Sequence, residues 1–179
     1  MPWGFFLAAA LCVIIPLSSC SKKDDKPDTS MSNIVLLDGY DRPIERVWLD
    51  KSDLEEGKYD IVIFLPGEYG SNGIKIQADS LNHNNKVIDL SVKEKKHDGW
   101  YISIEYLAEK TWLFDTYYEP GSTYYEIFLT GTLRVKVSKE KKQISIELKN
   151  GIVKDNKNGD GKRHEISISY NGPFYLDEF

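Results

Sequence analysis

YEIFLTGTLRVKV, Tyr125 to Val137, decides the fold class. Tyr125, Ile127, Leu129, Leu133, Val135 and Val137 fall on one side of an alternation. Glu126, Thr130, Thr132, Arg134 and Lys136 fall on the other. Gly131 keeps the register and only Phe128 interrupts it. A period of two is that of a half-buried strand, because successive side chains point to opposite faces of a sheet. The pattern therefore predicts one long strand whose core face runs from Tyr125 to Val137. Gly131, with no side chain to pack, marks an expected bend or bulge.

The same alternation recurs on either side. Ile144–Leu148 (ISIEL), Ile166–Tyr170 (ISISY), Ile74–Ala78 (IKIQA) and Trp100–Tyr106 (WYISIEY) all read as strands. Tyr59–Leu65 (YDIVIFL) is apolar on both faces, which predicts a central strand. Gly67, Asn72-Gly73, Asp98-Gly99, Pro120-Gly121, Asn150-Gly151 and Asn158-Gly159-Asp160-Gly161 punctuate these runs. Gly and Asn tolerate the positive φ that hairpin turns need, so these sites are expected turns. Helix is scarce: Lys51–Glu56 (KSDLEE) suits a single turn, and the asparagines of Leu81–Leu90 favour turns over helix. Sequential strands joined by short turns make an antiparallel meander. The expectation is an all-β domain, residues 33–179, built as a β-barrel or a β-sandwich.

The N-terminal part is of another kind. Gly4–Leu17 (GFFLAAALCVIIPL) is an uncharged apolar run that Pro16 interrupts near its end. It suits the h-region of a signal peptide and is short of the roughly 20 apolar residues of a spanning helix. Leu17-Ser18-Ser19-Cys20 resembles the bacterial lipobox, in which small residues precede a cysteine that becomes acylated and, after cleavage, N-terminal. The resemblance implies a signal peptide over 1–19 and a lipid on Cys20. MPWGFF lacks the Lys or Arg that usually opens such a leader, a departure that puts the start codon in question. SKKDDKPDTSMS follows; it is polar and aperiodic, so residues 20–32 are an expected disordered tether. Lys23-Asp24-Asp25 resembles the export signal of surface lipoproteins of Bacteroidota. The expected address is the outer membrane, lipid-anchored and exposed at the cell surface.

A second resemblance lies near the C-terminus. GTLRVKVSKEKKQISIELKNG with HEISISYNGPF is similar to the closing hairpins of small β-rich, calycin-like lipoproteins of gut Bacteroidota. It implies a fold and an address but no reaction.

Charge and thiols narrow the functions. The formal net charge is −5, from 23 basic and 28 acidic residues. That balance argues against nucleic acid, whose phosphates demand clustered Lys and Arg. Only Cys12 and Cys20 occur. With one cleaved off and the other acylated, no thiol remains for a disulfide, a thiolate metal site or a nucleophile.

Few stretches suggest a site. Asn156, Asn158 and Asp160 stand at alternate positions before Gly161, like the opening of a calcium loop. The twelfth position is Ser167 rather than a bidentate Glu, and Lys162-Arg163 adds repulsion, so a polar hairpin turn is the better reading. His83, His97 and His164 share no metal-ligand spacing and read as exposed loop histidines. Thr111–Tyr125 (TWLFDTYYEPGSTYY) is rich in aromatic rings. Trp112, Tyr117, Tyr118 and Tyr124 are its candidates for stacking on a sugar or a partner, against a reading in which they are cross-strand packing. No nucleophile elbow, phosphate loop or dinucleotide fingerprint occurs, and no cofactor is expected. The leading expectation is a non-catalytic binding or accessory module whose ligand is a glycan or an envelope protein. A carbohydrate hydrolase with a carboxylate pair, and a structural component of an envelope complex, are the alternatives.

Overall fold

The computed structural model describes residues 33–67, 72–94, 99–106, 112–116, 128–154 and 162–177. Twelve strands and two short helices lie among them. In chain order they are β1 (Ile34–Leu37), β2 (Tyr40–Pro43), β3 (Arg46–Asp50), α1 (Lys51–Glu55), β4 (Lys58–Phe64), β5 (Asn72–Asp79) and α2 (Ser80–His83). There follow β6 (Val87–Asp89), β7 (Tyr101–Tyr106), β8 (Trp112–Asp115), β9 (Thr130–Ser138), β10 (Gln143–Lys154), β11 (Arg163–Pro173) and β12 (Tyr175–Asp177).

The strands form two sheets of six, in the orders β2-β1-β11-β10-β9-β6 and β12-β3-β4-β5-β7-β8. Neighbours pair antiparallel, except that β12 runs parallel to β3. Each sheet keeps two edges and neither closes on itself, so the architecture is a β-sandwich and not the barrel that the alternation also allowed. Every second residue points into one shared core. Val35, Leu133, Val135, Ile146, Ile166 and Ile168 enter it from the first sheet. Val47, Leu49, Ile61, Ile63, Ile74, Ile76, Ile102 and Ile104 enter from the second. Branched side chains suit this position because they pack on a pleated surface with little rotamer freedom to lose. Trp100 and Phe128 meet edge to face across the core at 6.5 Å, and the Trp100 indole N–H donates to Val92 O at 3.1 Å.

Tyr59–Phe64 forms most of β4, which lies inside its sheet as expected. Lys51–Glu55 makes the anticipated single turn, capped by Asp50, whose carboxylate accepts from Asp53 N–H at 2.9 Å.

The deciding stretch needs two corrections. Strand β9 starts only at Thr130, with Phe128 fully buried and Leu129 44% exposed, the reverse of the predicted faces. Tyr125 and Ile127 lie outside the described residues. The cause of the reversal is an irregularity at two glycines. Gly131 has φ +143°, and a Cβ there would stand 3.0 Å from Gly151 Cα. Opposite it, β10 carries one extra residue relative to both neighbours, around Asn150. Asn150-Gly151 is thus not a turn between strands. Asn150 spends its positive φ (52°) on a β-bulge inside a continuous β10.

Asn72-Gly73 is not a turn apex either, because both residues belong to β5. The Asn72 side chain closes the β4–β5 connection from within the strand, donating to Pro66 O at 2.9 Å. The tight hairpin is instead at Asp38-Gly39, with φ of 51° and 79°, the double positive φ of a type I′ turn.

Candidate functional site

The two sheets differ on the sides turned away from the core. On the second, registered pairing aligns outward residues in rows. Arg46, Phe64, Gly73 and Glu105 form one row across β3, β4, β5 and β7. Tyr175, Trp48, Val62, Lys75 and Ser103 form the next. Asp60, Gln77 and Tyr101 form a third, and Lys58 with Asp79 a fourth.

The first two rows hold an aromatic cluster. Trp48 and Phe64 meet edge to face at 4.8 Å. The Arg46 guanidinium lies 5.0 Å from the Trp48 ring and 4.6 Å from the Phe64 ring, close enough for cation–π attraction to both. Tyr175, beside Trp48 in register, is 57% exposed. The rings are therefore offered at the surface and held in place by a stacked cation.

The middle rows hold a polar bridge. One Asp60 oxygen, Oδ2, accepts from Lys75 Nζ at 2.8 Å and from Gln77 Nε2 at 3.0 Å. The other, Oδ1, is buried without a hydrogen-bond partner. On one side of this bridge is an open cleft of about 280 Å³, lined by Val62, Phe64, Gly73, Lys75, Ser103 and Glu105 among others. Gly73 floors it, since it alone in its row has no side chain. On the other side is a cleft of about 330 Å³, lined by Asp53, Lys58, Asp60, Gln77, Asp79 and Gly99 among others. Burial, then the nearby Asp60 and Asp50 carboxylates, hold the Asp53 carboxyl above its ordinary range. Asp50, in contrast, is held low by the Ser52 hydroxyl and the Asp53 N–H.

Two histidines depart from expectation. His83 and His164 are buried, not exposed, and each meets a carboxylate. His83 Nδ1 accepts from Asp79 N–H at 2.8 Å, so Nε2 carries the proton and donates to Glu94 at 3.0 Å. With both ring nitrogens engaged, His83 locks α2 to the chain near Glu94. His164 Nδ1 lies 2.8 Å from Asp38 Oδ2, and Asp38 Oδ1 accepts from Glu165 N–H at 2.9 Å. That pair ties the β1–β2 turn to β11. His164 is in phase with Ile166, Ile168 and Tyr170 on the core-facing side of β11, so the alternation carried two residues further back places it inside, whereas His83 lies in α2, where a period of two says nothing. His97 lies outside the described residues.

Cys20, Tyr117, Tyr118, Tyr124, Asn156, Asn158 and Asp160 all lie outside the described residues. Trp112 opens β8, in register with Tyr106 at a sheet edge. Among the described residues, no group of three or more His, Cys, Asp or Glu is arranged to hold a metal ion. Comparison with known proteins finds no matching family model, no similar curated protein and no similar solved structure.

Sequence reasoning passed over Arg46, Trp48 and Phe64. For Phe64 the signal was present in YDIVIFL. A strand apolar on both faces, in a sandwich with one solvent side, implies that Val62 and Phe64 face outward and need cover or a ligand.

Proposed function

We propose that this chain is a lipid-anchored, surface-displayed binding module whose ligand is a glycan, held on the outer face of the β12-β3-β4-β5-β7-β8 sheet. One observation carries the reading: the Arg46-supported Trp48–Phe64 cluster stands beside the Asp60–Lys75–Gln77 bridge on that face. Sugars present apolar C–H faces and a rim of hydroxyls. An aromatic ring takes the first, and paired donors and acceptors take the second. The Cys20 lipid and the polar tether would hold the module at the outer membrane, clear of the surface by the length of a flexible chain.

Binding of a glycan array by the full chain in detergent tests this. Trp48→Ala should weaken binding roughly five- to tenfold, the loss of about 1 kcal/mol of stacking. Glycan binding unaffected by this change rules out the face. Fractionation of cells expressing Cys20→Ala tests the anchor, and an unchanged membrane fraction defeats it.

A second reading, hydrolysis by a carboxylate pair, draws on Asp53 and Asp60 in one cleft. Two carboxyls in one cleft, one of them raised by burial, are the starting point for such a division of roles. Asp60 fits the base role poorly, because one oxygen is engaged twice and the other is sealed from solvent. Binding without turnover is the reading we adopt.

A further inference from the structure

Resting on that reading, we propose that the ligand is an uncharged oligosaccharide that lies along β4 and β5 and fills both clefts at once, crossing the Asp60–Lys75–Gln77 bridge. The two clefts belong to one face and one set of strands. Phe64 and Gly73 border the first, and Lys58 and Asp79 border the second. Together they extend along β4 from Phe64 to Lys58, roughly 20 Å at the rise of an antiparallel strand. That span exceeds one sugar ring and suits a short chain. The bridge between them is polar. Asp60 holds the Gln77 amide and the Lys75 ammonium in place, and their remaining N–H groups, with the Gln77 carbonyl oxygen, are what a sugar hydroxyl crossing the bridge can meet.

Charge selects the class of sugar. Asp53, Asp60, Asp79 and Glu105 line the clefts against Lys58 and Lys75. The excess of carboxylates repels a uronic acid or sulfated chain. Two of these four carboxylates are also committed to partners within the protein. Asp60 is paired to Lys75, and Asp79 Oδ1 accepts the Leu81 and Asn82 N–H groups at 2.9 and 2.7 Å. A neutral, hydroxyl-rich chain is what remains.

Calorimetry of the full chain in detergent tests this, using cello-, xylo- and mannooligosaccharide ladders from mono- to hexasaccharide. Oligogalacturonate and chitosan oligomers supply the anionic and cationic arms. Affinity should rise with chain length and level off once both clefts are filled. Gly73→Leu should block one cleft and reduce the longest ligand to the affinity of the short ones, a loss of tenfold or more. The fold should accept it, because a Cβ at Gly73 would stand 3.4 Å from its nearest neighbour, Ile63 O. Should Gly73→Leu melt early, Gln77→Ala serves in its place and should weaken the longest ligand severalfold. Affinity independent of length, or preference for a charged ladder, overturns the inference while leaving a glycan site standing. Binding indifferent to both variants, while still lost on Trp48→Ala, does the same. No binding to any ladder removes the glycan reading itself, and the inference with it.

Discussion

The outer faces of the two sheets are built from the same alternation and come out differently. On β9, Thr130, Thr132, Arg134 and Lys136 are all exposed, and on β11 so are Glu165, Ser169 and Asn171. These are short or charged groups standing in water. The outward positions of β3, and of β4 and β5 after Lys58, are instead half-buried throughout. Long side chains there lie over one another: Arg46 across two rings, and Lys75 and Gln77 onto Asp60. The first face is solvated along β9 and most of β11, with half-buried positions at Leu36, Ser145, Glu147 and Ile152 on β1 and β10. The other is pre-organised, with its rotamers held before any ligand arrives, and pre-organisation lowers the cost of binding.

The contrast is broken most severely through the core that both sheets share. Ile146 is 1% exposed and Lys136, on the adjacent strand, points outward. Ile146→Asp should abolish cooperative thermal unfolding, because an unpaired buried carboxylate is among the costliest of substitutions. Lys136→Asp should shift the melting temperature little. Equal behaviour of the two overturns the assignment of faces.

A second test compares one glycine from each sheet. A Cβ on Gly151 would stand 2.8 Å from Ile166 O and 2.7 Å from Leu148 Cδ2. Backbone cannot yield as a side chain does, so Gly151→Ala should cost on the order of 1–3 kcal/mol. Gly73→Ala meets only one atom, at 3.4 Å. It should be close to neutral in denaturant titration. A neutral Gly151→Ala would show that the bulge is not as tightly packed as described.

Smaller again is the effect of removing the stacked cation. Arg46→Ala should cost roughly 0.5–2 kcal/mol of stability through the two ring contacts. The matching change on the other sheet, Arg134→Ala, removes an exposed side chain and should stay within about 0.5 kcal/mol. Chemical denaturation of both variants distinguishes a structured face from a solvated one.

These tests also mark where the sequence could be read. Strict alternation made the core positions legible: Ile144, Ile146, Ile166, Ile168, Ile74, Ile76, Ile102 and Ile104 are all buried where the period of two puts them. Choice between barrel and sandwich was not legible, since it depends on which edges pair over long sequence separations. Turn chemistry misled at Asn150-Gly151 because positive φ serves a bulge as well as a hairpin. The aromatic content of the 111–125 segment drew attention to ring density. The described cluster instead joins Trp48 and Phe64 through a strand pairing that only register reveals.

The last and smallest effect concerns Asp53, at the acidic end of the proposed face. Its main-chain N–H bonds to Asp50 and is unaffected by a change of side chain. Its carboxyl, by contrast, is raised from an ordinary 3.8 by burial and then by the charges of Asp60 and Asp50. A raised value means that the folded state holds the proton more tightly than the unfolded chain does. The stability this adds is complete below the unfolded value and is lost as pH rises through the folded one. Asp53→Asn keeps the shape and carries no charge, so it lacks this dependence. Near pH ~3 the variant should melt at or slightly below the parent, and near pH ~7 slightly above it. An acidic group in the first turn of a helix normally helps, by about 0.3–1 kcal/mol, which opposes the gain. The single turn of α1 makes that opposition weak. Thermal melts of both proteins at the two pH values decide the sign. A parent that gains on the variant as pH rises would mean that its surroundings stabilise Asp53 as a carboxylate, against the burial and like charge that raise it.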